Sequence, residues 1–202
     1  MKKLKTLSQL REIVGRKRNN GRTIVLANGG FDLLHAGHIR YLEAAKKLGD
    51  VLIVALNSDA SIRKLKGAGR PVLPERERAE ILAAFACVDF LTIFDEPNVE
   101  RILTALKPDI HAKGSDYSKK TVPERETVLA YGGRIAIAGG PKIRSTSEVI
   151  PRILAKFNQP SRLPGLKPGV SSGLILSGAL HPDLKIGVLR RRMYKRESRS
   201  RG

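Results

Sequence analysis

The sequence predicts an α/β fold, a doubly wound Rossmann-like parallel sheet of five strands with helices on both faces. Three observations predict it. Short aliphatic runs recur between residues 23 and 138. Patterns with helical spacing separate them, and such βαβ alternation gives a parallel sheet covered on both sides. The second run, Val51–Leu56, is apolar without a break, as a strand buried on both faces must be.

The elements follow in order. Leu4, Leu7, Leu10, Ile13 and Val14 recur at helical spacing among polar residues, so an amphipathic helix over about residues 6–16 precedes the sheet. Thr23–Ala27 is the first strand and Gly37–Leu48 a helix. After Val51–Leu56 comes a basic, glycine-containing loop, then a helix over Pro74–Cys87 with Glu and Arg on one side and Ala79, Ile81, Leu82 and Phe85 on the other. Phe90–Phe94 is a strand, and Asn98–Leu106 a helix with Asn98 suited to cap it. Ile110–Lys113 is a strand, and Pro123–Tyr131 a helix stopped by Gly132 and Gly133. Arg134–Ala138 is the fifth strand and Ser147–Phe157 the last helix. In such sheets ligands bind at the carboxyl ends of the strands, near the switch point.

The chain divides at about residue 158. Residues 1–158 form the expected folded domain. Residues 159–202, rich in Pro, Gly and Ser and then in Arg, are expected to be a basic, disordered tail. The net charge is +19. The tail holds ten basic against two acidic residues and the rest twenty-eight against seventeen, so the excess is not confined to the tail. Such a balance suits anionic substrates or nucleic acid. Aromatics are only 4%, without the aromatic-basic interleaving that stacks single-stranded bases, so nucleic acid is expected only through the tail. No apolar stretch approaches the roughly 20 residues of a membrane span, and no signal-peptide pattern follows the charged start. The single cysteine, Cys87, lies among apolar residues and reads as a core thiol in a reducing cytoplasm.

The chemistry concentrates in Asn28-Gly29-Gly30-Phe31-Asp32-Leu33-Leu34-His35-Ala36-Gly37-His38, directly after the first strand. A glycine-rich bend followed by a helix start presents free backbone N–H groups and the positive end of a helix dipole to an anion. His35 and His38, three residues apart at that start, share a face and can donate to one triphosphate. Metal-binding or structural histidines are the alternative for the pair taken alone. Asp32 at the bend could cap the helix, hold Mg2+ through water, or accept a substrate hydroxyl. Arg144-Ser145-Thr146-Ser147 opens the last helix, where hydroxyls and free N–H groups serve either as a cap or as a second phosphate site. Lys64, Lys66 and Arg70 lie in the loop after the second strand. Lys113-Gly114-Ser115-Asp116-Tyr117 ends the fourth strand, as a turn or as a nucleotide contact, and Asp59 could cap the turn after the second strand.

The motif Asn28 to His38 resembles the H-x-G-H signature of the cytidylyltransferase-like superfamily, and the resemblance extends over about residues 5–157. The segments Gly49–Asp59, Arg63–Pro71, Cys87–Asp89, Lys107–Asp109 and Ala112–Tyr117 are similar to it. The leading helix, the Leu65–Pro71 loop and Lys113–Tyr117 point to its D-glycero-β-D-manno-heptose 1-phosphate adenylyltransferase branch; glycerol-3-phosphate cytidylyltransferase is a more distant likeness. Since no kinase domain precedes the motif, the stand-alone form is expected. The resemblance implies transfer of AMP from ATP to a sugar 1-phosphate, giving ADP-heptose for cell-surface heptose and pyrophosphate. It implies His35, His38 and Lys64 in catalysis. Gly29, Gly30, Phe31, Gly37, Lys113, Asp116, Arg144, Ser145, Thr146 and Ser147 would join His38 on the nucleotide, with Asp32, Lys64, Lys66, Arg70 and Arg78 on the acceptor. Mg2+ would accompany ATP, held by phosphates and water rather than by a carboxylate cage. A homodimer and no membrane are expected. Two positions depart from the pattern: Gly30 stands where the family has cysteine, and Gly140 where cytidylyltransferases have arginine, with Lys142 and Arg144 nearby.

Overall fold

The structure, a computed structural model, describes residues 1–140 and 146–157. Twelve elements alternate in order: α1 (Leu7–Asn19), β1 (Ile24–Gly29), α2 (Ala36–Lys46), β2 (Val51–Asn57), α3 (Asp59–Lys66), α4 (Glu75–Ala84), β3 (Phe90–Phe94), α5 (Glu100–Leu106), β4 (Ile110–Gly114), α6 (Arg125–Ala130), β5 (Arg134–Ala138) and α7 (Thr146–Phe157). The five strands are parallel, in the order β3-β2-β1-β4-β5. The chain winds outward from β1 to β3, then returns to β4 on the other side of β1. The switch point therefore lies between β1 and β4, where the helices on either side leave a crevice.

Both faces of the sheet are covered, and the two-residue strand period sorts the core into two layers. From β1, Val25 and Ala27 join Leu42 and Ala45 of α2 and Ala79 and Leu82 of α4. Ile24 and Leu26 join Leu10 and Val14 of α1, Ile102 and Leu103 of α5 and Val128 of α6. Every residue of β2 is buried, as its unbroken apolar run requires. α1 begins at Thr6, whose hydroxyl accepts from the Gln9 N–H at 3.2 Å while Gln9 Oε1 accepts from the Thr6 N–H at 3.0 Å, a reciprocal cap.

Two expectations are corrected. The basic segment after β2 begins as a helix, α3, with Ser58 as its N-cap accepting from the Ser61 N–H at 3.1 Å. Ser58 and Asp59 are start signals of the ordinary kind, but Ile62 is the sole large apolar residue buried in α3, too little for a periodic pattern. α4 ends at Ala84 rather than Cys87, and its faces differ from those expected: Ile81 is 39% exposed whereas Arg78 is fully buried. Arg144, Ser145 and the tail at 159–202 lie outside the described residues. No helix among the described residues is long and apolar enough to cross a membrane.

Candidate active site

A cleft of about 530 Å³ opens at the carboxyl ends of β1 and β4. Its floor is Asn28, Gly29 and Gly30 at the end of β1, with Lys113 and Gly114 at the end of β4. His35, His38 and Lys66 also line it. Its position follows from topology: only at the switch point do neighbouring strands send their connections to opposite faces.

The bend between β1 and α2 is tight. Phe31 and Leu33 both take φ 45°, a left-handed conformation that non-glycine residues adopt sparingly. Packing holds it there. The Phe31 ring stacks on Tyr41 at 6.3 Å between centroids and leans on His38 at 5.3 Å. The buried Tyr41 hydroxyl donates to Ala112 O at 2.8 Å, tying α2 to β4. Gly139, after β5, takes φ +97°, and a Cβ there would lie 3.0 Å from Tyr41 Cα, so glycine is needed for this loop to close against α2. At Gly30 an added Cβ would meet only the tip of Ile62, 3.1 Å away, so the cysteine usual in the family would fit with a small shift of one flexible side chain.

The two histidines cap the helix they begin. His35 is the N-cap of α2, and its Nδ1 accepts from the Gly37 N–H at 3.1 Å. His38 Nδ1 faces the His35 N–H at 3.4 Å, completing a reciprocal box. The rings stack 4.0 Å apart, inclined by 26°. An Nδ1 that accepts must carry a lone pair, so in each neutral ring the proton sits on Nε2. Burial pushes His38 down to about 4, helped by the nearby His35 and Lys66. Burial also lowers His35, against the pull of the Glu148 carboxylate in the first turn of α7. Both imidazoles are therefore neutral Nε2–H donors near neutral pH. The electrostatic pull of Glu148 on His35 also sets the start of α7 close to the start of α2.

The other candidates divide. Lys66, at the end of α3, lines the cleft, and burial followed by the Arg70 charge lowers its ammonium. Lys64 is exposed and is not among the residues lining the cleft. Asp116 lines the cleft and is exposed, and Gly29, Phe31 and Gly37 lie on its wall. Thr146 and Ser147 are the first residues of α7.

Asp32, Arg70, Arg78 and Lys113 are held by the protein's own groups. Asp32 is 2% exposed, accepting from the Val72 and Leu73 N–H groups at 2.9 and 3.1 Å and from Arg70 Nε at 2.7 Å. Burial alone would raise its carboxyl, but these donors outweigh it and hold it below the usual range. Asp32 thus fastens the segment after α3 to the glycine bend, and Arg70 Nε is part of that fastening. Arg78 is fully buried and donates to Leu73 O at 2.9 Å, Gly30 O at 2.5 Å, Asn57 O at 2.9 Å and Asp59 at 2.7 Å. Its guanidinium joins the ends of β1 and β2 to the start of α4, and no face is left for an acceptor. Lys113 is 5% exposed, with Nζ 3.2 Å from both Asn28 Oδ1 and Glu124 Oε2.

The sequence reading did not single out Asn28 as a separate group, nor Tyr41, His111 and Glu124. One signal was available for His111. Residues two apart on a strand share a face, so His111 and Lys113 point the same way, and pairing of Ala27 with Ala112 sets Asn28 beside them.

The donor set suits an anion. It holds two imidazole N–H groups, an ammonium and the backbone of a glycine bend. The lining carboxylates Asp32 and Glu124 are engaged with N–H groups and cations, and no group of three or more acidic, His or Cys side chains fit for a metal occurs among the described residues. A resident divalent cation does not fit these ligands.

Comparison with known proteins places this cleft. The cytidylyltransferase-like family matches residues 26–148. A bifunctional protein HldE from Syntrophotalea carbinolica is 46% identical over 157 residues, 78% of this chain and 32% of that protein. Another from Geotalea uraniireducens is 47% identical over 151 residues, 75% of this chain and 31% of that protein. The chain thus spans about a third of the length of these curated relatives. A solved structure, the lipopolysaccharide core biosynthesis protein from Thermoplasma volcanium, aligns at 32% identity with a TM-score of 0.49, over 58% of this chain and 94% of that one. Because the matched segment runs from β1 to the first turn of α7, and so carries every residue lining the cleft, the chain belongs to the cytidylyltransferase-like family of nucleotidyltransferases.

Proposed function

We propose that the chain transfers AMP from ATP to a sugar 1-phosphate, D-glycero-β-D-manno-heptose 1-phosphate, giving ADP-heptose and pyrophosphate. The observation that carries the transfer is the pair of neutral Nε2–H donors fixed at the start of α2. A phosphate oxygen of the acceptor attacks the α-phosphorus of ATP in line. The new O–P bond forms as the bond to the bridging oxygen breaks, and pyrophosphate leaves with the electron pair. Charge grows on the α-phosphoryl and leaving oxygens, where His35 and His38 can donate without being reoriented. The acceptor phosphate is already ionised near neutral pH, so no general base is needed. Lys66 contributes positive charge within the cleft, and the start of α7 supplies further N–H groups for the leaving phosphates. Mg2+ enters as the counter-ion of ATP, held by phosphate oxygens and water. The choice of ATP and heptose rests on likeness to the HldE proteins and on the loop and Lys113–Tyr117 segments.

Pyrophosphate release, assayed with ATP and CTP against a panel of sugar 1-phosphates and glycerol 3-phosphate, tests this reading. It expects ATP and the heptose 1-phosphate to give the highest kcat/KM. Release with CTP and glycerol phosphate, and none with ATP, would sink it in favour of a cytidylyltransferase.

A further inference from the structure

Asn28, half-buried near the carboxyl end of β1, leads into the glycine bend, and its amide is held from behind. Its Oδ1 accepts from Lys113 Nζ at 3.2 Å and lies 3.1 Å from His111 Nε2. The oxygen and nitrogen of an amide have the same outline, so chemistry must assign them. Lys113 does so, because an ammonium has donors only and must face an acceptor. His111 then carries its proton on Nε2. It is fully buried, and its imidazole is pushed down to about 3 by burial, with the Lys113 charge adding to the effect. Lys113 is itself anchored by Glu124, and the two residues are 5% and 4% exposed.

This arrangement leaves the other end of the amide. Asn28 Nδ2 makes no hydrogen bond among the described residues, is not among their sealed polar atoms, and belongs to a residue that lines the cleft. Two N–H donors therefore open on the cleft immediately before Gly29. The neighbouring groups are also donors, namely the imidazole Nε2–H groups and the Lys66 ammonium. A nucleobase edge presents donors and acceptors together; a phosphoryl oxygen presents acceptors alone and matches this lining.

We propose that Asn28 is a further anion donor of the transfer reaction, its amide bonding a phosphoryl oxygen of the bound nucleotide, with Glu124, Lys113 and His111 as positioning residues that keep the NH2 turned outward. The proposal rests on the nucleotidyl-transfer reading above. It makes the buried cation of β4 an indirect participant: Lys113 orients a neutral group instead of touching the phosphate.

The test uses the full chain and Asn28→Asp, which keeps an oxygen for Lys113 and His111 and replaces the NH2 by a second oxygen. A kcat lowered roughly 100-fold, with an undiminished urea midpoint, is expected. A kcat within about threefold of the parent overturns the proposal, since a lost phosphoryl donor costs far more. Glu124→Gln alone should slow turnover, yet cost nothing more in the Asn28→Asp background, because coupled groups are non-additive. Fully additive losses overturn the positioning role. Calorimetric binding of ATP separates this idea from the reading beneath it. A parent chain that binds ATP but releases no pyrophosphate with any acceptor or nucleotide defeats the transfer reading alone. In that case, binding weakened about tenfold or more by Asn28→Asp, some 1.4 kcal/mol, still supports the amide as a phosphate donor, and smaller weakening overturns it.

Discussion

The two ends of the parallel sheet use similar residues to opposite effect. At the amino ends, Asp50 accepts from the Thr23 N–H at 2.8 Å and from Arg22 at 3.0 Å. Asp89 accepts from the Leu52 N–H at 2.7 Å and from Lys46 at 2.6 Å, and Asp109 accepts from the Ile24 N–H at 2.7 Å. Each carboxylate closes on an N–H at or just before the start of a strand. A depression of about 340 Å³ lies at that end, lined in part by Arg22, Asp50 and Asp89, whose charges are already paired. At the carboxyl ends, His35, His38, Asn28 and Lys66 line a larger cleft with donors that take no hydrogen-bond partner among the described residues. Polar groups at a strand end are therefore no sign of function in themselves. The sign is a set of oriented donors left over after the protein has met its own needs.

Four variants or conditions press on that contrast. Arg78 departs from it, as a cation at the carboxyl end whose hydrogen bonds are all internal. Arg78→Met should behave like an amino-end change and cost about 3–5 kcal/mol of stability, read as a lowered urea midpoint; an unchanged midpoint with a raised KM for the acceptor would restore its place in the cleft. His38→Ala should do the reverse, lowering kcat roughly 100- to 1,000-fold while circular dichroism shows the domain still folded. Turnover near that of the parent would remove the histidines from the mechanism.

Acid provides the third. His38 and His111 are held neutral, near about 4 and about 3, against an ordinary value of 6.5. The unfolded chain takes up protons first as pH falls. The stability from burying neutral rings is therefore whole above pH 6.5 and is lost as pH drops toward those lower values, by at most about 1.4 kcal/mol per pH unit for each group. Urea midpoints measured from pH 7.5 to 4 should fall, and a flat profile would mean that the rings are hydrated. The smallest effect belongs to Asp109→Asn, which weakens a charge-assisted cap on β1 by about 1–2 kcal/mol. Pyrophosphate release at saturating substrate should not change; a lowered kcat would mean that the amino ends also shape the cleft.

Much of this was legible in the residues. The unbroken run of β2 required burial on both faces, and the alternation of strands and helices required a parallel sheet. The bend from Asn28 to His38 announced an anion site because glycines followed by a helix start can do little else so economically. α3 escaped notice because Ile62 is its sole large buried apolar residue. Arg78 was misread because a charged residue in a helix pattern is normally solvated, and only the fold shows three backbone carbonyls converging on it. Asp32 was open to several roles from its position; its bonds to the N–H groups of Val72 and Leu73, forty residues on, were not among them.

The sequence by itself determined the sheet, its winding and the glycine bend before α2 that lines the cleft, since these follow from local periodicity and from bond-forming groups adjacent along the chain. The tertiary structure alone decided which donors remain for a ligand. That choice depends on partners far apart in sequence, such as Asn28 with Lys113 and Arg78 with Gly30, which compete in space for the same hydrogen bonds.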